Sequence, residues 1–302
     1  MRRGTAGMHS RVSLFGLTVE SEIPLPAPAA AAGPADVTIR FGPVPRTLDG
    51  ARISRPRFDA GDQSVLLRVD RVGRFLVRDA REVWVDPQPG AETPWIVHVL
   101  LSGVMAVVVQ GRGVLTLHAS AVRVGHAAVV FAGASGTGKS TLAAYLARCG
   151  HVVQSDGFVA FVDTRGTPKV LAGPATQKLW PDAAEWLGLD PMHPRLAPAT
   201  RKYLIAQPHT PARDAVPLAR IYVLGSTSTE SSGRSHGSRR LTDLAAHLFM
   251  PQVVWGKAGD QAARLLELAR SSTVERLGRA RGSLETSLPL MGKEVLDGLS
   301  LV

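Results

Sequence analysis

The chain has 302 residues, one cysteine, 35 Lys plus Arg against 25 Asp plus Glu, and a net charge of +10. A lone thiol excludes an internal disulfide and a thiolate metal cluster, and it points to a reducing, cytoplasmic setting. The surplus of cations comes without zinc-finger spacing, aromatic RNA-reader strands or a continuous basic helix, so an anionic substrate and solubility are its expected reasons, not nucleic acid.

The chain opens Met1-Arg2-Arg3 without the apolar run or cleavage site of a secretory signal. Residues 12–19, 37–41, 65–69, 74–77 and 82–85 are β-rich or alternating, with turns expected at 70–73 and 78–81 and a Pro/Ala surface linker at 24–34. Residues 1–94 thus read as a β-rich accessory module with no chemistry of its own. The most hydrophobic stretch, 95–109, is interrupted by His98, Ser102 and Gly103. It is too short to span a bilayer, so no membrane partner is expected. A buried helix there opens the second domain, 95–302.

Residues 113–124 read as one strand and 127–132 as the next, joined only by Gly125-His126. Two residues beginning with Gly fit a type II′ hairpin turn, and so short a link can join only antiparallel strands. By that topology His126 faces solvent. After residue 132 come Gly133, Ala134, Ser135, Gly136, Thr137, Gly138, Lys139, Ser140 and Thr141. This fits G-x-x-x-x-G-K-[ST], the phosphate-cradling P-loop, in the strand–loop–helix context the motif needs. Glycines with positive φ let successive N–H groups point into one concavity, and the helix N-terminus adds its dipole. Lys139 supplies a charge for the β and γ phosphates of ATP, the Ser140 hydroxyl a ligand for Mg²⁺, and Thr141 a further phosphate or backbone contact.

The loop helix is expected to end at Gly150, with Cys149 packed in its apolar stripe and His151 serving the helix dipole. Next come a short strand, Asp156 at its exit, and a second strand ending near residue 162. A Pro-started helix at 181–187, a strand at 219–224, a polar loop at 226–240, helices at 241–249 and 260–269 and a weakly helical tail at 283–302 complete the chain.

Transfer of a phosphoryl group to an alcohol needs a base on the acceptor side. Asp156 is the leading candidate, because open α/β sheets place ligands at the carboxyl ends of their strands. Ligation of Mg²⁺ and a structural turn are its other readings. His118 is a structural strand histidine or a site residue that orients Asp156 or contacts phosphate. Lys178, Arg201 and Lys202 are cations that either close over the phosphates or sit in solvent; Arg234, Arg239 and Arg240 are weaker candidates of the same kind.

Residues 117–122, 133–141 and 150–156 together resemble the C-terminal domain of the HPr serine kinase/phosphorylase family. Residues 15–26, 178–182, 185–188 and 217–224 resemble its HPr-kinase-related branch. The resemblance implies an α/β fold: a P-loop nucleotide-binding domain of the HPr kinase/phosphoenolpyruvate-carboxykinase type with a mixed sheet, plus the N-terminal β-rich module. It also implies ATP-dependent phosphorylation of a serine-type hydroxyl, with Asp156 at the position of the family's first catalytic aspartate and His118 at that of its site histidine. Gly157 stands where the true HPr kinases carry a second aspartate, and their Glu-containing signature loop has no counterpart. Both departures point away from HPr as acceptor and from the reverse phosphorolysis. Some relatives phosphorylate the C-terminal serine of a lasso-peptide precursor, and this chain is similar to those in size and layout.

The expected activity is therefore a kinase using ATP and Mg²⁺ on a peptide or small-protein hydroxyl. A small-molecule alcohol kinase and a non-enzymatic nucleotide sensor are the alternatives. HPr kinases themselves form hexamers, which leaves a homo-oligomer open.

Overall fold

The computed structural model describes residues 10–193, 200–207, 211, 214–225, 233–253, 260–278 and 282–299. It is a mixed α/β protein whose strands fall into three sheets, with both larger sheets containing parallel and antiparallel pairs.

The first sheet takes up β1 (Ser10–Leu14), β2 (Leu17–Ser21), β3 (Val37–Phe41), β4 (Ile53–Arg55), β5 (Phe58–Ala60), β6 (Ser64–Val69), β7 (Gly73–Arg78) and β8 (Glu82–Pro87), in the spatial order β1-β2-β3-β8-β7-β6-β5-β4. Alternation along the strands sorts the side chains onto two faces. Val65, Leu67, Phe75 and Val77 enter the main core, while Leu66 and Leu76 pack with Val44 on the other side. Residues 12–19, expected as one strand, form a hairpin instead. Phe15 (φ 52) and Gly16 (φ 73) both adopt the left-handed conformation of a type I′ turn. A phenylalanine is an unusual choice there, and its burial explains it: Phe15 is 2% exposed and stacks on Phe158 at 4.4 Å.

The apolar helix is longer than expected and not uniform. It runs as α1 (Thr93–Val99), a π-helical turn over Leu100–Val104, and α2 (Met105–Gly111). By length and composition Thr93–Gly111 could cross a membrane, but most of it is buried within the protein, in the same core cluster as the first sheet. The π turn contains Ser102, whose Oγ donates to the carbonyl of His98 at 2.6 Å.

The stretch expected as one strand over 113–124 is two, β9 (Leu115–Leu117) and β10 (Ala119–Val124). His118 is the break between them, and its N–H donates to the His247 carbonyl at 2.7 Å. β9 pairs with β13 (Val159–Thr164), whereas β10 pairs with β11 (Ala127–Ala132) and β12 (Val152–Ser155). The chain changes neighbours at His118, so the histidine sits at a corner and not in mid-strand. The β10–β11 hairpin is as expected, with Gly125 at φ 61 and Val124 opposite Ala127.

β11 is buried on both sides: Val129 and Phe131 face α3 (Lys139–Arg148), and Ala128, Val130 and Ala132 face the other layer. It runs parallel to β18 (Val216–Leu224), which also joins β14 (Thr167–Val170). A three-stranded sheet of β15 (Thr176–Leu179), β16 (Pro191–His193) and β17 (Tyr203–Ala206) packs with α4 (Pro181–Leu187) near α3. β19 (Gly233–Arg234), α5 (Ser238–Ala245), α6 (Gln261–Ser271), β20 (Val274–Leu277) and α7 (Leu284–Leu299) complete the fold. The polar loop expected at 226–240 falls partly at 226–232, outside the described residues; its remainder holds β19 and the start of α5. Cys149, expected in the core, is exposed. α3 stops at Arg148, and Cys149 is its C-cap at φ −78, ψ 8, so the helical stripe ends one residue too soon to bury it.

Candidate functional site

Strand directions bring the glycine loop and Asp156 to one end of the sheet. β10 is antiparallel to both β11 and β12, so β11 and β12 point the same way. The loop leaves the carboxyl end of β11, and Asp156 leaves the carboxyl end of β12. Between them is the start of β10, with Ala119 opposite Ala132 and Ala121 opposite Ser155. Ser120 therefore lies beside both exits, and its Oγ donates to Asp156 Oδ1 at 2.6 Å.

The loop turns through three glycines with positive φ. Gly133, Gly136 and Gly138 take φ values of 152, 87 and 96. A Cβ on Gly136 or Gly138 would meet open space, whereas one on Gly133 would lie 2.8 Å from Thr137 Oγ1 and 3.1 Å from the Leu224 carbonyl. Ala134 and Ser135 are exposed at the crest of the loop, and Thr137 is buried, its Oγ1 donating to the Ala134 carbonyl at 3.0 Å. Lys139 folds back into the loop, its Nζ donating to the carbonyls of Gly133 and Ala134 at 2.8 Å each. Ser140 and Thr141 follow Lys139 in the first turn of α3, where Gln177 Nε2 donates to the Ser140 carbonyl at 2.9 Å.

Asp156 is 5% exposed. Its second oxygen, Oδ2, accepts the backbone N–H of Lys178 at 3.1 Å. The following Gly157 has φ +86, and a Cβ there would stand 2.6 Å from Lys178 Nζ. A lysine thus occupies the space that a side chain at 157 would need. The turn is held from below by Phe158, which is 1% exposed and wedged between Phe15 and Phe249. Phe158→Ala is expected to cost about 3–5 kcal/mol of stability, the usual loss for a buried aromatic. Chemical denaturation measures it, and a loss under 1 kcal/mol, roughly the scale of an exposed substitution, would show that the wedge does not hold the turn.

The electrostatics single out this end of the sheet. Burial holds Lys139 down to about 8, with the Asp156 charge opposing and Lys202 adding to the depression. Burial also lowers Lys178, again against Asp156 and with Lys202. His118 is pushed down to about 4 by burial and by Lys139 and Lys178, with Asp156 opposing. His98, on α1, falls to about 3 through burial and the charges of Lys178 and Lys202. His247 is lowered by burial and Lys139. Burial thus disfavours the charged form of Lys139, Lys178, His98, His118 and His247 at this end of the sheet, and the Asp156 charge opposes that effect at Lys139, Lys178 and His118.

Of the expected residues, the structure gathers the loop 133–141, Asp156, His118 and Lys178 here, while Lys202 sits over the Trp180 ring. Ser120 and the Lys178 N–H hold Asp156, while His118 interacts with it through charge. Arg234 and Arg240 are engaged elsewhere, with Thr273 and with the carbonyls of Ala269 and Ser272. His126 is exposed, as expected. His151 is lowered by burial, which favours its neutral form and gives little to the helix dipole. Sequence reasoning assigned no part to Ser120, His98, His247 or Gln177. The one signal for His98 was a pair of polar residues, His98 and Ser102, four apart in an apolar helix; their hydrogen bond and π turn supply its meaning.

The residues fit a magnesium phosphate. The donors are a lysine, loop amides and a helix N-terminus, and Ser140 and Asp156 offer two oxygen ligands. Mg²⁺ takes such a partial set when phosphates and water supply the rest. Among the described residues no cluster of three His, Cys, Asp or Glu side chains forms a metal site.

No family model matches the chain, and no curated protein matches it. Among solved structures it is similar to the HPr(Ser) kinase/phosphatase from Coxiella burnetii, at 10% identity and a TM-score of 0.35, over 61% of this chain and 89% of that one. At that score nothing about activity passes between the two proteins, and the chemistry rests on this chain's own residues.

Proposed function

We propose that the protein is an ATP-dependent kinase that transfers the γ-phosphoryl group to a serine-type hydroxyl of a peptide or small protein. The observation that carries this reading is the placement of one buried carboxylate, Asp156, at the same sheet end as a glycine loop that holds Lys139. The loop amides and Lys139 would hold the phosphates and Ser140 would hold Mg²⁺, with Asp156 a ligand of the ion only in its alternative reading. The ion supplies charge neutralisation at the phosphates. Asp156 accepts the proton of the incoming hydroxyl, so that oxygen attacks phosphorus as the bond to the nucleoside diphosphate breaks. Ser120 and the Lys178 N–H fix the carboxylate, and Lys178 balances the charge that spreads over the phosphoryl oxygens.

A groove supports a peptide acceptor over a small alcohol. It measures about 1100 Å³ and runs between the first sheet and the helix, past Arg46, Arg57 and Arg71 to Ser102 and Gly103 on the π turn. Ser102 also lines the small cavity that contains His98, Asp156 and Lys178. Arg68 and Arg74 on the groove are paired with Asp59 and Asp86, whereas Arg46 and Arg57 stand exposed. An acidic segment laid along this groove would bring a neighbouring hydroxyl toward Asp156.

The test is labelled ATP with Mg²⁺, acidic serine-containing peptides and clarified lysate, followed by mass spectrometry of whatever gains label. A phosphoserine product supports the proposal. Label confined to small alcohols would replace the acceptor, and ATP binding with no transfer to any acceptor would favour a nucleotide sensor.

The lysine also sets a pH dependence. Bound phosphate favours the ammonium form, so binding raises the Lys139 pKa from its starting value of about 8. ATP affinity should be level below that pH and should fall above it, by at most tenfold per unit for this roughly one-proton linkage. Calorimetry between pH 6.5 and 9.5 reads the profile, roughly spanning the lysine's depressed and ordinary ranges; affinity that rises across that range would contradict the assignment.

A further inference from the structure

The glycine loop has a second side. Away from Asp156, its Gly136, Thr137, Gly138 and Thr141 line a separate cleft of about 160 Å³. The opposite walls are Trp180 and Ala183 at the start of α4, and Leu284, Leu288 and Met291 on α7. Leu288 and Met291 are buried, while Trp180 is 46% exposed, one of the few large apolar side chains in the described chain left open to water. Pro181 keeps Trp180 extended at φ −69, ψ 152, ahead of the helix. Lys202 Nζ lies 5.5 Å from the indole centroid and steadies the ring. Asp182 and Ser287 are the polar side chains of α4 and α7 on this cleft.

Such walls do not suit phosphate. Apolar side chains, one aromatic face and a few polar groups are the chemistry of a site for a flat heterocycle. Helix geometry sets the direction: residues two apart on α3 point about 200° apart around its axis, so Lys139 and Thr141 face different sides. A chain of phosphates held by Lys139 at one end would emerge over Gly138 and Thr141 at the other.

We infer that this cleft holds the nucleobase and ribose of the nucleotide, with the base stacked on Trp180. The assignment rests on the phosphate reading of the loop and adds to it the position of the group that loop amides cannot recognise. It also places α7 in the substrate site.

The experiment compares Mg-ATP with inorganic tripolyphosphate by calorimetry on the full chain, and follows tryptophan fluorescence. Wild-type protein should bind ATP more tightly than tripolyphosphate and show quenching with ATP alone. Trp180→Ala should weaken ATP about tenfold, the scale of a lost base–aromatic stack, and leave tripolyphosphate unchanged. Trp180→Phe should recover most of the loss. Equal wild-type affinity for the two ligands, or equal weakening of both by Trp180→Ala, would overturn the base site while leaving the phosphate loop standing. Failure of wild-type protein to bind either ligand would instead overturn the phosphate reading, and the base site with it.

Discussion

Asp156→Asn is expected to slow phosphoryl transfer about a thousandfold, within the usual span for loss of a general base, with ATP affinity at neutral pH nearly unchanged. The amide is the same size and keeps an oxygen for Ser120, which donates to Oδ1 at 2.6 Å, at the cost of the bond from the Lys178 N–H that Oδ2 accepts at 3.1 Å. The turn at Gly157 and the wedge of Phe158 do not depend on the charge. What disappears is the carboxylate proposed to accept the proton of the acceptor. Turnover of labelled ATP and calorimetry on the same sample separate the two effects. Full activity in this variant would reject the base role. A large loss of ATP affinity with transfer intact at saturation would assign the carboxylate to metal binding alone.

The second large effect lies at Lys139. Lys139→Ala should abolish transfer and weaken ATP more than about a hundredfold, since on the proposed reading it removes a charge-assisted contact to the phosphates. Nucleotide-free protein should respond in the opposite sense. Burial depresses this lysine to about 8, below its ordinary value, so its charged form is disfavoured by folding. That cost is present at neutral pH and fades as pH rises through the folded value toward the unfolded one. Lys139→Met, which keeps an unbranched side chain one atom shorter and drops the charge, should therefore melt higher than wild type at pH 7 and lose that advantage by roughly pH 10.4, the unfolded lysine value. A variant that melts lower at both pH values would mean that the two carbonyl contacts outweigh the burial of charge.

The part of the site that was legible in the sequence is the part made by neighbours along the chain. The glycine loop, its strand and its helix lie within about twenty residues and carry their own turn and cap signals. The hairpin before them was readable because two residues admit only one strand direction. Asp156 was readable by its place after a short strand. What escaped depends on contacts across long separations. Ser120 and Asp156 meet only because β10 lies between β11 and β12. Lys178 enters because Gly157 leaves room for its ammonium. His98 arrives on a helix that looked like mere connection, and only its π turn marks it out. Three local expectations yielded to tertiary packing or chain geometry: Phe15 bends a strand into a hairpin to reach Phe158, His118 turns a corner between partners, and Cys149 falls just past the end of its helix.

The main core cluster reaches from Val12 on the first hairpin to Val253 beyond α5. During synthesis the first sheet is complete once residue 87 has left the ribosome, yet its apolar face must wait for the helix and then for residues as late as 253. At about 5–20 residues per second the last of these follow on the order of ten to thirty seconds later. The nascent chain spends that interval with a half-covered greasy surface, the stage at which overexpression should fail first.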